Sequence, residues 1–223
     1  MKDRLIEIEN IFRPICSNLQ LGIFSANVVV EKSSEALQAY IEAIGKSIAV
    51  RMRIEEVSER KQIAATRDVY RSLGKKPGRY RPSAEALNRR ILNGKGWYNI
   101  NNVVDLLNAI SLETGWSIGG YNAAKIEGAI RLGVGQENEP YDAVGRGALN
   151  IAKLPLLRDD QGAFGSPTSD STRTMIDGGT QQFLMIIFDF AGTSSLEEYL
   201  AKIGAYYEQF CSASNVQIST IGL

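Results

Sequence analysis

Histidine is missing from the 223-residue chain, and that absence removes more chemistry than any other single feature. Without an imidazole there is no Ser-His-Asp triad, no Cys-His dyad and no histidine-liganded zinc. Cysteine is scarce: Cys16 and Cys211 stand far apart. The expectation is two free thiols in a reducing compartment, with a bridge left open. No structural zinc and no other metal is expected. No apolar run approaches the ~20 residues a membrane helix needs, and the best, over 183–190, is strand-length. The opening MKDRLIEIEN carries acids where a signal peptide needs an apolar stretch. These absences lead to the expectation of a cytoplasmic protein with no membrane partner. Net charge is lacking too, 25 basic against 25 acidic side chains, so no field of the whole molecule draws it to nucleic acid.

What is present is ordinary globular usage, 44% apolar and 22% charged, which argues against collagen, a disordered tail or a coiled coil. No repeat or Pro/Gly-rich linker divides the chain, so one domain over 1–223 is expected. Residues 19–30 (LQLGIFSANVVV) read as a strand. Ser33 or Ser34 then opens a helical pattern carried by Leu37, Ile41, Ile44 and Ile48. It runs on to Leu73 with a break near 54–58, and Gly74 and Pro77 stop it. Ser83 suits the N-cap of a short helix ending at Asn93-Gly94. A further helix spans Asn102–Thr114, closed by Gly115. From 117 to 157, short apolar pieces punctuated by Gly, Asn and Pro predict short strands and tight turns. Residues 181–190 (QQFLMIIFDF) are too continuously apolar for an edge and predict a central strand. Ser194 with Glu197 reads as a capping box for a last helix to Cys211, and 216–221 as a final strand. The order predicts an α+β fold.

Neutrality hides a local imbalance. Residues 60–95 hold eleven basic side chains against two acids, Asp68 and Glu85, a net of +9 that the rest of the chain offsets with −9. On a helix, Arg60, Arg67 and Arg71 share one face, away from Val69, Tyr70 and Leu73. Lys75, Lys76, Arg79 and Arg81 extend the basic surface through a turn containing Tyr80. This pattern suits a phosphate backbone, with stacking as a second option. A solvated helical face balanced by the acidic remainder accounts for it as well.

Other motifs are weaker. Gly45-Lys46-Ser47 lacks the upstream glycine of a phosphate loop, where Tyr40 stands, and lies within a helical pattern. Gly133-Val134-Gly135 and Gly145-Arg146-Gly147 read as turns. The helix Asn102–Thr114 is apolar on nearly every side and so is expected to be buried, yet Asn102, Asp105 and Asn108 form a polar ridge along it. That ridge either lines a pocket or organises neighbouring loops, with Asn102 as N-cap and Asp105 near the positive helix end. The stretch 165–174 (GSPTSDSTRT) is the densest hydroxyl cluster, able to bind a ribose, a carboxylate or a water, and equally able to form Asx and Ser/Thr turns.

The block YRSLGKKPGRYRPSAEALNRRIL (70–92) resembles the signature of stand-alone B3/B4 domain proteins. These are similar to the tRNA-editing B3/B4 region of the phenylalanyl-tRNA synthetase beta chain. The following NNVVDLLNAISLETGWSIGGYNAAKI (101–126) resembles that region's helix, turn and return strand, and 131–145 and 159–174 continue the likeness, which covers roughly 20–190. The resemblance implies an α+β fold with a β-sandwich-like core flanked by helices, in three β/β/α layers. It also implies a pocket at the junction of the two halves, which in the synthetase hydrolyses tyrosine wrongly attached to phenylalanine tRNA.

Carried onto this sequence, the resemblance implies an amino-acid pocket made from Asn102, Asp105, Asn108, Gly119, Gly120, Asn122, Ser166, Thr168, Asp170 and Arg173. It implies tRNA contacts from Arg67, Arg71, Lys75, Lys76, Arg79, Arg81, Arg89 and Arg90. Where the synthetase pattern has His-Ala-Phe-Asp, this chain has Gly119-Gly120-Tyr121-Asn122, so no catalytic residue is assigned. An aminoacyl ester is already activated, and a positioned water with oxyanion stabilisation can hydrolyse it without a side-chain base. The expected activity is deacylation of mischarged tRNA in trans, not a complete ligase, and no cofactor is expected. The expected partners are the aminoacylated end of tRNA and a free amino acid, with no DNA. The alternative is a non-catalytic amino-acid or small-molecule binding module on the same fold.

Overall fold

The computed structural model describes residues 5–223. In chain order the strands and helices are β1 (Ile6–Ile8), β2 (Gln20–Asn27), α1 (Glu35–Arg51), α2 (Lys61–Ser72), α3 (Ser83–Leu92), α4 (Asn102–Thr114), β3 (Ser117–Asn122) and β4 (Ile130–Val134). There follow β5 (Asp142–Ala143), β6 (Gly147–Ala148), β7 (Pro155–Asp159), β8 (Gly162–Gly165), β9 (Gln182–Asp189), α5 (Leu196–Cys211) and β10 (Ser214–Gly222). Two four-stranded sheets, ordered β1-β4-β7-β8 and β10-β2-β9-β3, form the frame, with β5 and β6 as a small separate ribbon.

The period-2 geometry of a strand explains the layering. Along β9, Phe183, Met185 and Ile187 face one core and Leu184, Ile186 and Phe188 face another. Both sets are buried, so the strand reads as an unbroken apolar run, and it lies between β2 and β3 as a central strand must. The first core joins this sheet to α1, α3, α4 and α5. The second joins it to Ile130, Leu132, Leu157 and Phe164 of the other sheet. The result is the expected α+β, three-layer β/β/α arrangement. Each fully buried large apolar side chain contributes about 1.5–3 kcal/mol, so β9 anchors both interfaces at once. A third cluster around Tyr70, Tyr141 and Leu156 covers the outer face of β7. Among the described residues no helix is long and apolar enough to cross a membrane.

The helical pattern of 35–73 does break where expected: α1 ends at Arg51 and α2 starts at Lys61, with a single 3-10 turn, Glu56–Glu59, between them. Ser34, not Ser33, caps α1, its hydroxyl accepting from the Leu37 N–H. Three cap assignments need correction. Asn101 caps α4 by accepting from Val104 N–H, one residue before Asn102. Pro82 takes the cap position of α3, and the Ser83 N–H donates across the fold to Pro167 O at 2.7 Å. No capping box forms at 194–197: Ser195 occupies the cap position without a side-chain bond, and Glu197 accepts from the Thr220 hydroxyl of β10. For Asn102 and Glu197, tertiary partners occupy the side chain.

Candidate functional site

The polar ridge of α4 separates into three different environments. Asn102 is buried and fully bonded: its carbonyl oxygen accepts from the Glu31 and Val103 N–H groups, and its amide donates to Val29 O and Phe210 O. Asp105, also buried, accepts from the Ser33 hydroxyl at 2.6 Å and from Ile100 N–H at 3.0 Å. Both side chains fasten the segments entering α1 and α4, and neither lines a pocket. The Asn108 side chain is half-buried and makes no hydrogen bond among the described residues. The ridge therefore organises loops at its first two positions.

A polar centre does form where β3 meets the loop 165–174. Gly120 N–H donates to the Asp170 carboxylate at 3.2 Å, and the Tyr121 hydroxyl donates to it at 2.9 Å. Gly119 and Gly165 floor this centre, because a Cβ at either would collide with the Tyr121 hydroxyl. Here glycine is required by close approach rather than by backbone angle. Removal from water pushes the Asp170 carboxyl up to about 7, against the lowering effect of Tyr121 and the Gly120 N–H. Two further tyrosines hold the same loop: Tyr70 of α2 bonds Thr168 through paired hydroxyls at 2.8 Å, and Tyr141 donates to Ser169 O at 2.7 Å. Burial raises the pKa of all three phenols.

The remaining loop residues have local duties. The Ser166 hydroxyl accepts from Thr168 and Ser169 N–H and donates to Ser169 O, a Ser/Thr turn. Asn122 caps the 3-10 turn Ala123–Lys125 by accepting from Ala124 N–H. Arg173 grips Asp159 with two nitrogens, at 2.7 and 3.0 Å. Of the ten expected pocket residues, Gly119, Gly120 and Asp170 come together, with Ser166 and Thr168 shaping the same loop. Asn102, Asp105, Asn122 and Arg173 are taken up elsewhere. Sequence reasoning missed Tyr70, Tyr121 and Tyr141 as site residues. Tyr121 carried one signal, its place directly after Gly119-Gly120; the other two carried none.

The basic segment divides in a similar way. Glu85 is buried and gathers Arg67 at 2.7 Å, Arg89 at 2.9 Å and Arg81 at 4.0 Å. Arg60 closes the C-terminal end of α4, donating to Leu112 O and Glu113 O. Lys75 is not on the basic surface: it is buried, donates to Asn150 O and Ala152 O, and lies 3.7 Å above the Tyr80 ring. Burial, with Arg79 and Lys153 nearby, pushes its ammonium down to about 8. Arg71 pairs with Asp68, and Arg90 bonds Gly96 O and Lys95 O while stacking on Tyr98. Lys76, Arg79 and Arg81 remain exposed on the α2–α3 turn. That turn leads directly into Ser83, whose N–H is tied to Pro167 of the Asp170 loop.

No curated protein matches the chain. A solved structure with a similar course is an N-terminal fragment of the phenylalanyl-tRNA synthetase beta-subunit from Pyrococcus horikoshii, 11% identical, with a TM-score of 0.47. The likeness covers 92% of this chain and 49% of that one, so the chain spans about half the length of the fragment. The B3/4 domain family matches residues 65–201, from the middle of α2 through the first turn of α5, and takes in both the basic turn and the Asp170 centre. By that match over more than half its length, the chain belongs to the B3/4 domain family.

Proposed function

We propose that the chain, acting as a single domain, binds the aminoacylated end of tRNA and hydrolyses mischarged aminoacyl-tRNA in trans, as a deacylase without ligase activity. The observation that carries this reading is the adjacency of the exposed cations Lys76, Arg79 and Arg81 to the loop bearing Asp170. Phosphates held on the turn place a terminal ribose ester beside that loop. Asp170, with a carboxyl near neutrality, has the proton affinity a general base needs to take a proton from the attacking water at working pH. The half-exposed β3 backbone at Gly120 and the polar loop orient the ester, and a hydrogen bond to the amino-acid side chain provides discrimination. A cytoplasmic setting follows from the tRNA partner.

The test is deacylation of a panel of charged tRNAs, including tyrosine on phenylalanine tRNA, with and without the protein. Release of one non-cognate amino acid, with the cognate charge spared, is the expected result. Reversing Lys76 and Arg79 to Glu is expected to weaken tRNA binding and reduce its log-log salt slope by about 2. Arg81 and Arg89 are unsuitable for this test because both pair with the buried Glu85. Unchanged binding in the double variant overturns the turn as the tRNA contact.

One observation favours a second reading, a non-catalytic amino-acid binding module. The Asp170 carboxylate is already engaged by Tyr121, an internal phenol. Thermal stabilisation by a free amino acid, with no release from any charged tRNA and no effect of tRNA, identifies this alternative.

A further inference from the structure

The two edges of the sheet β10-β2-β9-β3 are treated very differently. At the β3 edge every residue but Gly120 is buried, and the Gly120 N–H is taken by the Asp170 carboxylate. At the other edge, β10 is nine residues long and pairs only with β2 among the described residues. Gln217, Ile218 and Ser219 are exposed in succession. Exposure of three consecutive residues takes in both faces of the strand, and among the described residues no strand pairs with its outer side, although β1 packs near it. Its residues Gln217–Gly222 follow the β2 register without a break after the bulge between Ser214 and Gln217. An open, regular edge of this kind is a template for strand addition unless charge, proline or shortness protects it.

None of those protections is present. No charged residue and no proline occurs from 209 to 223. The edges of the other sheet contrast with this: β1 is three residues long and carries Glu7, and β8 is four residues long and follows a register shift on β7.

We infer that β10 is a self-association edge, pairing antiparallel with β10 of a second copy about a two-fold axis at Ser219 to make one continuous eight-stranded sheet. Three features select a second copy. First, two-fold antiparallel pairing keeps each sheet face on its own side, so it presents Gln217 to Ile221, Ile218 to Thr220 and Ser219 to itself. Second, none of these pairs sets like charges opposite each other, the arrangement that destabilises a cross-strand pair. Third, the chain carries zero net charge, so two copies approach without long-range repulsion. The pairing also has a geometric consequence for the basic turn. Helices α2 and α3 contact β3, at the far edge. With seven strand intervals between the two β3 edges, the two basic faces lie roughly 34 Å or more apart, at opposite ends of the assembly.

Sedimentation velocity at roughly 100 μM, a range suited to a small edge-to-edge interface, tests this. The wild type is expected to dimerise. Ile218→Lys with Ser219→Lys, both at exposed positions, is expected to raise the dimer Kd by about tenfold or more without moving the thermal melt. Ser219→Cys, which adds no charge, is expected to cross-link into a covalent dimer on mild oxidation, whereas Ser72→Cys, exposed at the end of α2, is expected not to. A monomeric wild type, or a dimer indifferent to the two lysines, overturns the inference. A dimer that the lysines dissociate but that the Ser219→Cys variant does not trap overturns the two-fold register.

Discussion

Two aspartates meet at the loop 165–174, Asp159 gripped by its Arg173 and Asp170 carried on the loop and held by β3, and they are satisfied to very different degrees. Asp159 of β7 is buried and accepts four hydrogen bonds, two from Arg173 and one each from Glu127 and Gln161 N–H. Asp170 accepts only two, from Tyr121 and Gly120 N–H, and no cation among the described residues pairs with it. A carboxylate that gains both a guanidinium and backbone donors has its desolvation offset and stays a fixed acceptor. One with a phenol and a single amide is under-compensated, and burial pushes it up to about 7. Around one loop, the first arrangement makes a clamp and the second leaves a group that exchanges protons near neutral pH. Function is expected where satisfaction is incomplete.

The sharpest way to break this contrast is to remove the clamp. Asp159→Ala leaves Arg173 and two backbone N–H groups without their acceptor. A loss of about 3–5 kcal/mol is expected, the range for removing one partner of a buried pair, measured as a lowered urea midpoint at constant m-value. A loss below about 1 kcal/mol in that titration, the range of an exposed pair, would show the clamp to be a surface pair and erase the distinction.

The Asp170 centre is read out by pH. Its native carboxyl titrates near 7, whereas an unfolded Asp titrates near 3.9. Between those values the native state binds more protons than the unfolded state. The contribution to stability is therefore complete below about pH 4 and lost as pH rises through about 7. The carboxyl is not fully withdrawn from water, so the loss is discounted to on the order of 2 kcal/mol. Asp170→Asn keeps an oxygen for Gly120 N–H and offers an amide to the Tyr121 hydroxyl. It is expected to flatten this descent and to be more stable than the wild type at pH 8, while abolishing deacylation on the catalytic reading. Equal slopes for the two proteins between pH 5 and 8 would sink the assignment.

The fold was more legible in the sequence than the centre, for a physical reason. Helix α4 and strand β9 are written locally: Asn102–Thr114 is bounded by an Asn cap and Gly115 in the left-handed region, and the 183–190 run is apolar on both faces. The placement of polar groups is written in contacts roughly 50 to 100 residues apart. Asn102 meets Val29 and Phe210, Tyr70 meets Thr168, and Tyr121 meets Asp170. Helical spacing alone grouped Asn102, Asp105 and Asn108, whereas tertiary partners divide them. Counting charge in 60–95 likewise located the basic segment but not Glu85 or the carbonyls around Lys75, which turn several of its cations inward. The 194–197 capping pattern failed because β10 offered Glu197 a better-placed hydroxyl.

The smallest expected effect tests the comparison within α4 itself. Asn102 and Asn108 have the same chemistry on one helix, but the Asn102 side chain carries four hydrogen bonds and that of Asn108 none among the described residues. Asn102→Ala strands buried N–H and C=O groups and is expected to cost about 2–3 kcal/mol. Asn108→Ala loses no bond and replaces a poor helix former by the best one, so its stability is expected to stay within about 0.5 kcal/mol of wild type or rise slightly. Asn108 is half-buried and its amide makes no hydrogen bond among the described residues, so it is the polar group of the ridge left available to a ligand. If it serves one, Asn108→Ala lowers deacylation or amino-acid binding while the melt stays put, a separation of readouts that a purely structural residue cannot produce. If activity and melt are both unchanged, the recognition group is sought instead on the loop 165–174, where the Asp170 carboxylate retains acceptor capacity that Tyr121 and Gly120 do not fill.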